Sequence, residues 1–212
     1  MAFAGYTPSG LTPNTFENVQ LGAGAFYVNL DLTDIEVDSG GNTKTTAEEF
    51  AVILEAAVAA GQSLGATNGG GTFNAVPEIE QIPVDGMTYP VIGSSVMYSW
   101  EVTLATTLKE ITPENFKRVL ATAAKVQETG GMTVASTLTP AHYIPSVAWC
   151  GRMIDGRLAC IVLENALNIA GMVMTINDRG GAEIPVTFRA HQADLSRMQF
   201  APFQIIFFPM PE

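Results

Sequence analysis

The chain has 212 residues, 47% of them hydrophobic and only 15% charged, against about 25% charged in an ordinary soluble domain. Its net charge is −11, with eleven acids and one base (Lys44) in residues 1–100 and ten acids and nine bases after them. That balance excludes a basic surface for gripping phosphates, and no apolar run reaches the roughly 18 residues of a membrane-spanning helix.

So few charges leave little obligatory solvent-facing surface, which points either to other subunits covering part of it or to a well-packed monomer with Ser, Thr, Asn and Gln outside. A β-rich chain of this length reads as a single domain, 1–212. The opening Met-Ala-Phe-Ala-Gly-Tyr-Thr-Pro has neither a basic n-region nor an apolar h-region, so no secretory signal is expected. With no export signal, Cys150 and Cys160 are expected to be reduced and buried rather than paired in a disulfide or bound to metal.

Residues 1–20, rich in Pro, Gly, Thr and Asn, read as an extended arm, the kind of segment that is either loose or laid across a neighbour. Ala25 to Leu30 is a strand, followed by an acidic stretch from Asp31 to Asp38 and a turn at Ser39-Gly40-Gly41-Asn42. Thr46 and Glu49 form a capping box for a helix whose apolar stripe is Phe50, Ile53, Leu54, Ala57 and Val58, stopped by Gly61. The pattern then becomes β: Asn68-Gly69-Gly70-Gly71, Phe73 to Val76, Pro77 to Ile82, and a turn at Val84-Asp85-Gly86-Met87.

From Ser94 to Ile111 the residues alternate. Val96, Tyr98, Trp100, Val102 and Leu104 form one dry face, and Ser95, Met97, Ser99, Glu101 and Thr103 a largely polar one. Thr112-Pro113-Glu114-Asn115 starts a second helix with Phe116, Val119, Leu120 and Ala123 inward. After Gly131 the chain is β again. A hairpin is predicted from Met172–Ile176 and Ile184–Ala190 about a turn at Asn177 to Gly181, and Phe203–Phe208 forms a last strand. The fold class is mainly β (α+β), a sandwich or barrel with one or two flanking helices, whose strand edges must be paired or covered.

A search for chemistry finds none. His142 and His191 have no partner ligands at metal spacing, and structural roles are expected for both. There is no Gly-x-Ser-x-Gly elbow, no P-loop ending to the 68–71 glycines and no third glycine after Gly22 and Gly24. Asp31, Asp34, Glu36 and Asp38 lack a calcium-loop spacing. Glu78 and Glu80, two apart on a strand, share a face, most simply an acidic solvent face. No enzyme activity, cofactor or metal is expected.

The ordered segments Gly71-Thr72-Phe73-Asn74-Ala75-Val76-Pro77-Glu78-Ile79 to Gly86, Ser99-Trp100-Glu101-Val102, Thr112-Pro113-Glu114-Asn115, Leu163 to Asn168, Pro185-Val186-Thr187-Phe188-Arg189-Ala190-His191 and Ala201 to Ile205 resemble the major tail proteins of long-tailed, non-contractile bacteriophages (siphophages). The resemblance covers roughly residues 65–210. It implies a structural subunit of the virion, made in the host cytoplasm. Six copies would close into rings that stack into a tail tube. Its partners would be other copies of itself, the tape measure protein and DNA in the lumen, and the tail terminator and tail tip proteins at the ends. Under that reading the acidic lumen conducts DNA during ejection. Glu78 and Glu80 are the first luminal candidates, and Asp31, Asp34 and Glu36 the second. Two alternatives stand beside it: a tube protein of a contractile tail or secretion-type machine, and a β-sandwich receptor- or carbohydrate-binding module. The alternation of the aromatic residues predicts core positions rather than a binding platform.

Overall fold

Extended backbone sends successive side chains to opposite faces, and this rule organises most of the molecule. The computed structural model describes residue 15 and residues 18–125, 131–176, 181–197 and 200–210. Among these the chain is mainly β, with two α-helices and antiparallel strand pairing. In chain order the elements are β1 (Gln20–Val28), α1 (Ala47–Ala59), β2 (Thr67–Gln81), β3 (Ser95–Leu108), α2 (Pro113–Val119), β4 (Ala123–Lys125), β5 (Met132–Val134), β6 (Ile144–Met153), β7 (Leu158–Asn168), β8 (Ile184–Arg189) and β9 (Phe203–Phe208). The arm expected over 1–20 and the turn expected at 177–181 fall outside the described residues, apart from Thr15, residues 18–20 and Gly181.

The described residues divide into two compact units. One is drawn from 1–65, 147–162 and 204–212, the other from 66–146 and 163–203, so β7 begins in the first and ends in the second. In the first unit the order is β1-β6-β7, and β9 also pairs with β7. Helix α1 starts as its residues dictate: the Thr46 hydroxyl accepts from the Glu49 backbone N–H at 3.3 Å, and Glu49 Oε2 accepts from the Thr46 N–H at 2.7 Å. It stops at Gly61, where φ is +71° and the left-handed turn costs a glycine little. Phe50, fully buried, stacks on Phe208 with ring centroids 3.7 Å apart and planes 8° from parallel. Around them lie Tyr27, Ala148, Cys150, Cys160 and Val162. The pairs 148/150 and 160/162 are spaced by two, so each presents one face of its strand. Val58 was expected in the helix stripe but is 55% exposed. It sits about 100° around the helix from Ala57, past the inward-facing side.

β1 carries a bulge between Leu21 and Ala25, where the Trp149 indole N–H donates to the Ala23 carbonyl at 2.9 Å. Gly24 lies there with φ +72°, and a Cβ would collide with the indole and with the Cys150 carbonyl. Glycine is therefore required by space as well as by backbone conformation.

In the second unit β3 lies between β2 and β8, and the last residues of β7 pair with β8. Leu104, Thr106 and Leu108 stand opposite Phe188, Val186 and Ile184, all six buried. β8 alternates cleanly between buried and more exposed residues. Asn168 is the buried polar centre. Its amide N–H groups donate to the carbonyls of Val119 (2.8 Å) and Gly171 (2.9 Å), and its Oδ1 accepts from the N–H of Thr187 (3.0 Å). It thus ties the end of α2, the end of β7 and β8 together.

Helix α2 is capped by Thr112, whose hydroxyl accepts from Asn115 N–H at 3.1 Å, and it is only seven residues long. Its buried residues are Asn115 and Val119, with Phe116 and Leu120 only partly covered, and Ala123 belongs to β4. Asn115 is buried because it bonds locally: its Nδ2 donates to Glu110 O, and its Oδ1 accepts from Arg118. The hairpin expected from 172–176 and 184–190 forms only one bridge, Thr175 with Glu183. β8 pairs instead with β3 and β7, where its apolar side chains are buried against longer strands.

Thr46→Ala removes one half of the capping box and should lower stability by about 1 kcal/mol in denaturant unfolding, with Thr46→Ser recovering most of it. Asn168→Ala should cost more, roughly 2–3 kcal/mol, because it leaves buried carbonyls and an N–H without partners.

Candidate functional site

Length mismatch along β3 creates the most unusual surface of the chain. β2 has 15 residues and β3 has 14, but β8 pairs with β3 only from Thr103 to Leu108. Every residue from Ser95 to Glu101 is exposed, and burial begins at Val102, where β8 comes alongside. The distal part of the β2–β3 hairpin is therefore a two-stranded ribbon with no third strand among the described residues. This overturns the expected dry face of β3: Val96 is 37%, Tyr98 63% and Trp100 38% exposed. Alternation reports the side on which a residue lies, not whether a layer covers that side.

The register sorts the ribbon into two faces, since directly opposed residues share a face. Glu78 opposes Ser99, Val76 opposes Glu101 and Asn74 opposes Thr103. The Ser99 hydroxyl donates to Glu78 Oε2 at 2.7 Å, and Arg189 pairs with Glu101. Between Glu78 and Ile79 the register shifts: β2 advances one residue while β3 advances two, past Tyr98. The extra residue is thus in β3, β2 keeps its alternation, and Glu78 and Glu80 share a face as their spacing predicts. The opposite face carries Phe73, Ala75, Pro77, Ile79, Met97 and Trp100 by the same register. Phe203 lies against its base, 5.4 Å from Phe73 and 6.3 Å from Trp100 between ring centroids.

One face carries the carboxylates, with Val76 and Val96 among them, and the other is apolar. Between Lys44 and Lys109 the sequence contains no Lys or Arg, so the hairpin holds Glu78, Glu80, Asp85 and Glu101 without a base of its own. Its tip is apolar as well, with Tyr89 78% exposed and Ile92 fully exposed. Asp31, Asp34 and Glu36 lie in the first unit, exposed, in the loop between β1 and α1. Asp31 closes a local turn, accepting from Thr33 N–H (3.0 Å) and Thr33 hydroxyl (2.7 Å), and these bonds hold its carboxyl below the usual range.

Glu101, Ile79, Met97 and the Tyr98 bulge are functional candidates that the sequence reading did not single out. The base-free stretch from 45 to 108 was the available signal for the acidic set. The aromatic residues also depart from the core expectation. Tyr98, Trp100 and Phe200 line a hollow of about 310 Å³ together with His191 and Gln192, whose Oε1 is buried without a partner.

Both histidines make local contacts. The His142 ring Nδ1 accepts from the Thr139 N–H at 2.9 Å, and His191 meets Tyr143 edge-on at 5.0 Å. Among the described residues no three His, Cys, Asp or Glu side chains are grouped to hold a metal, and no helix is long and apolar enough to cross a membrane. No protein-family model matches the chain, and no curated protein matches it.

Several carboxylates act as structural acceptors. Hydrogen bonds from Thr46 lower the Glu49 carboxyl, bonds from the Asn42 backbone and side chain lower Asp38, and the Lys109 ammonium at 2.5 Å lowers Glu183. Groups with depressed folded-state values contribute stability above their unfolded value and lose it as pH falls through the folded one. Urea midpoints should therefore decline below roughly pH 4. Glu49→Gln should flatten that acid limb; an unchanged limb would show that the capping carboxylate is not coupled to folding.

Proposed function

We propose that this chain is the tube subunit of a non-contractile phage tail, a structural protein with no catalytic role. In this reading a β-sandwich of the mainly β fold closes with copies of itself into rings, six to a ring, that stack into a tube. The observation that carries it is the β2–β3 ribbon: two long strands whose distal apolar face, at Ile79 and Met97, is exposed and whose β2 edge has no partner strand among the described residues. An uncovered apolar ribbon with a free edge is a surface that a soluble protein conceals by pairing. Joining such sheets between copies into a continuous barrel removes the edges, and a head-to-tail contact that does not close on itself extends a filament.

The acidic face supports the same reading. A wall bearing Glu78 and Glu80, with Glu101 already paired to Arg189, repels phosphates, so DNA passes without adhering. Asp31, Asp34 and Glu36 are further candidates for that wall. The tape measure protein would occupy the lumen before DNA, with terminator and tip proteins closing the ends, in a virion assembled in the host cytoplasm.

A second reading rests on the hollow lined by Tyr98, Trp100 and Phe200. Exposed aromatic rings beside a free amide oxygen suit a receptor- or carbohydrate-binding module, in which rings stack on sugar faces. The two readings differ in what they require of the ribbon.

Negative-stain microscopy and light scattering of the purified chain across a concentration series should give rings or tubes with a central hole. Ile79→Glu and Met97→Glu should abolish them while leaving the unfolding transition in place. Assembly that survives both changes would remove the apolar ribbon face from the interface. Glu78→Lys with Glu80→Lys should leave tubes intact and slow DNA ejection, and unchanged ejection kinetics would take both residues out of the lumen.

A further inference from the structure

Cys150 and Cys160 are free thiols in the core of the first unit, 5% and 0% exposed. They sit on β6 and β7, which are joined by a tight turn over residues 154–157. The Met153 N–H donates to the Arg157 carbonyl at 2.8 Å, the Gly156 N–H donates to the Met153 carbonyl at 3.1 Å, and Gly156 takes φ +96°. That closure fixes the register. Cys150 lies three residues before Met153 and Cys160 three after Arg157, so the two face each other directly.

Opposed residues alternate between hydrogen-bonded and non-hydrogen-bonded pairs up an antiparallel ladder. Met153–Arg157 is a bonded pair, which makes Cys150–Cys160 a non-bonded one. In such pairs the Cα atoms are about 4.5 Å apart and the side chains close together, within the span a disulfide bridges. The side chains agree with the backbone: the sulfur atoms are 2.7 Å apart. Cys150 also stands opposite Ala25 of β1, so a strand on each side holds it in place.

We propose that Cys150 and Cys160 are a latent cross-strand disulfide, formed within one chain when a small peroxide reaches them. The Cys150 sulfur, the more accessible of the two, attacks the O–O bond of hydrogen peroxide. An S–O bond forms, the O–O bond breaks, and the departing hydroxide takes up the thiol proton as water. The Cys160 sulfur then attacks the sulfenic sulfur; the S–S bond forms, the S–O bond breaks, and a second water leaves with the Cys160 proton. Two electrons pass from the two sulfurs to the peroxide, and two waters are the only other product.

Burial sets the rate. Desolvation, with Cys160 alongside, pushes the Cys150 thiol well above its ordinary value, so the reactive thiolate is scarce at neutral pH. The pair therefore stays reduced in a cytoplasm and closes slowly in a peroxide-containing medium, faster as pH rises. The bond crosses a hairpin that is already formed, so it demands no rearrangement of the sheet.

The test uses the full chain treated with hydrogen peroxide and then freed of it. Thiol titration after unfolding should fall from two per chain to none, the linked peptides carrying Cys150 and Cys160 should weigh about 2 Da less than their sum whatever oxygen the methionines take up, and the chain should remain monomeric on a non-reducing gel. The melting temperature should rise by roughly 5–10 °C and return on reduction. Cys160→Ala should instead end with oxygen added to Cys150 and no rise in melting temperature. Two thiols still titratable in the treated protein, oxygen added at Cys150 or Cys160 of the wild type in place of a link between them, or disulfide-linked dimers would each overturn the proposal. The mass measurement on wild type decides the matter even where the alanine variant does not fold.

Discussion

A strand pair cannot bury its own faces. Two strands satisfy each other's backbone groups along one edge only, and both faces of the ribbon stay open until a further layer arrives. In the second unit that layer ends at Val102, beside the end of β8, while β2 and β3 continue together to Gln81 and Ser95. The consequences follow in sequence. Apolar side chains at 79, 97 and 100 stay uncovered, the β2 edge stays unpaired among the described residues, and the carboxylates at 78, 80 and 101 line the opposite side. The shape of this surface is set by the short length of β8 more than by any single residue of the hairpin.

Local rules made part of this legible from the residues alone. The Thr46–Glu49 capping box, the Gly61 stop, the Asp85-Gly86 turn and the shared face of Glu78 and Glu80 depend on neighbours within a few positions, and each is present. The mainly β class with two helices follows from the same local patterns. What escaped depends on distant partners. The alternation from Val96 to Leu104 looks uniform in the sequence, yet its first half is exposed and its second half buried, because β8 joins β3 from far along the chain. The same long-range choice dissolved the expected hairpin: Ile184, Val186 and Phe188 gain more burial opposite β3 than opposite Met172 to Ile176. The bulge at Tyr98 has no sequence mark, since no glycine sits there.

Polar groups in the interior are treated differently in the two units. In the second, Asn168 is fully engaged with backbone groups from three elements, and such a residue specifies one arrangement because any shift leaves partners unmet. In the first, the interior is largely apolar around stacked Phe50 and Phe208, and two thiols lie within it.

The scattered origin of that first unit has a bearing on its birth. Phe50 is translated early, but Phe208, on which it stacks, comes more than 150 positions later. At about 5–20 residues per second the ribosome leaves this ring without its mate for roughly ten seconds or longer. The strands from the middle of the chain must arrive in the interval as well. A nascent chain in this condition exposes the apolar stripe of α1 long before the fold can hide it, so the stripe is the part of the molecule most open to misassociation during synthesis.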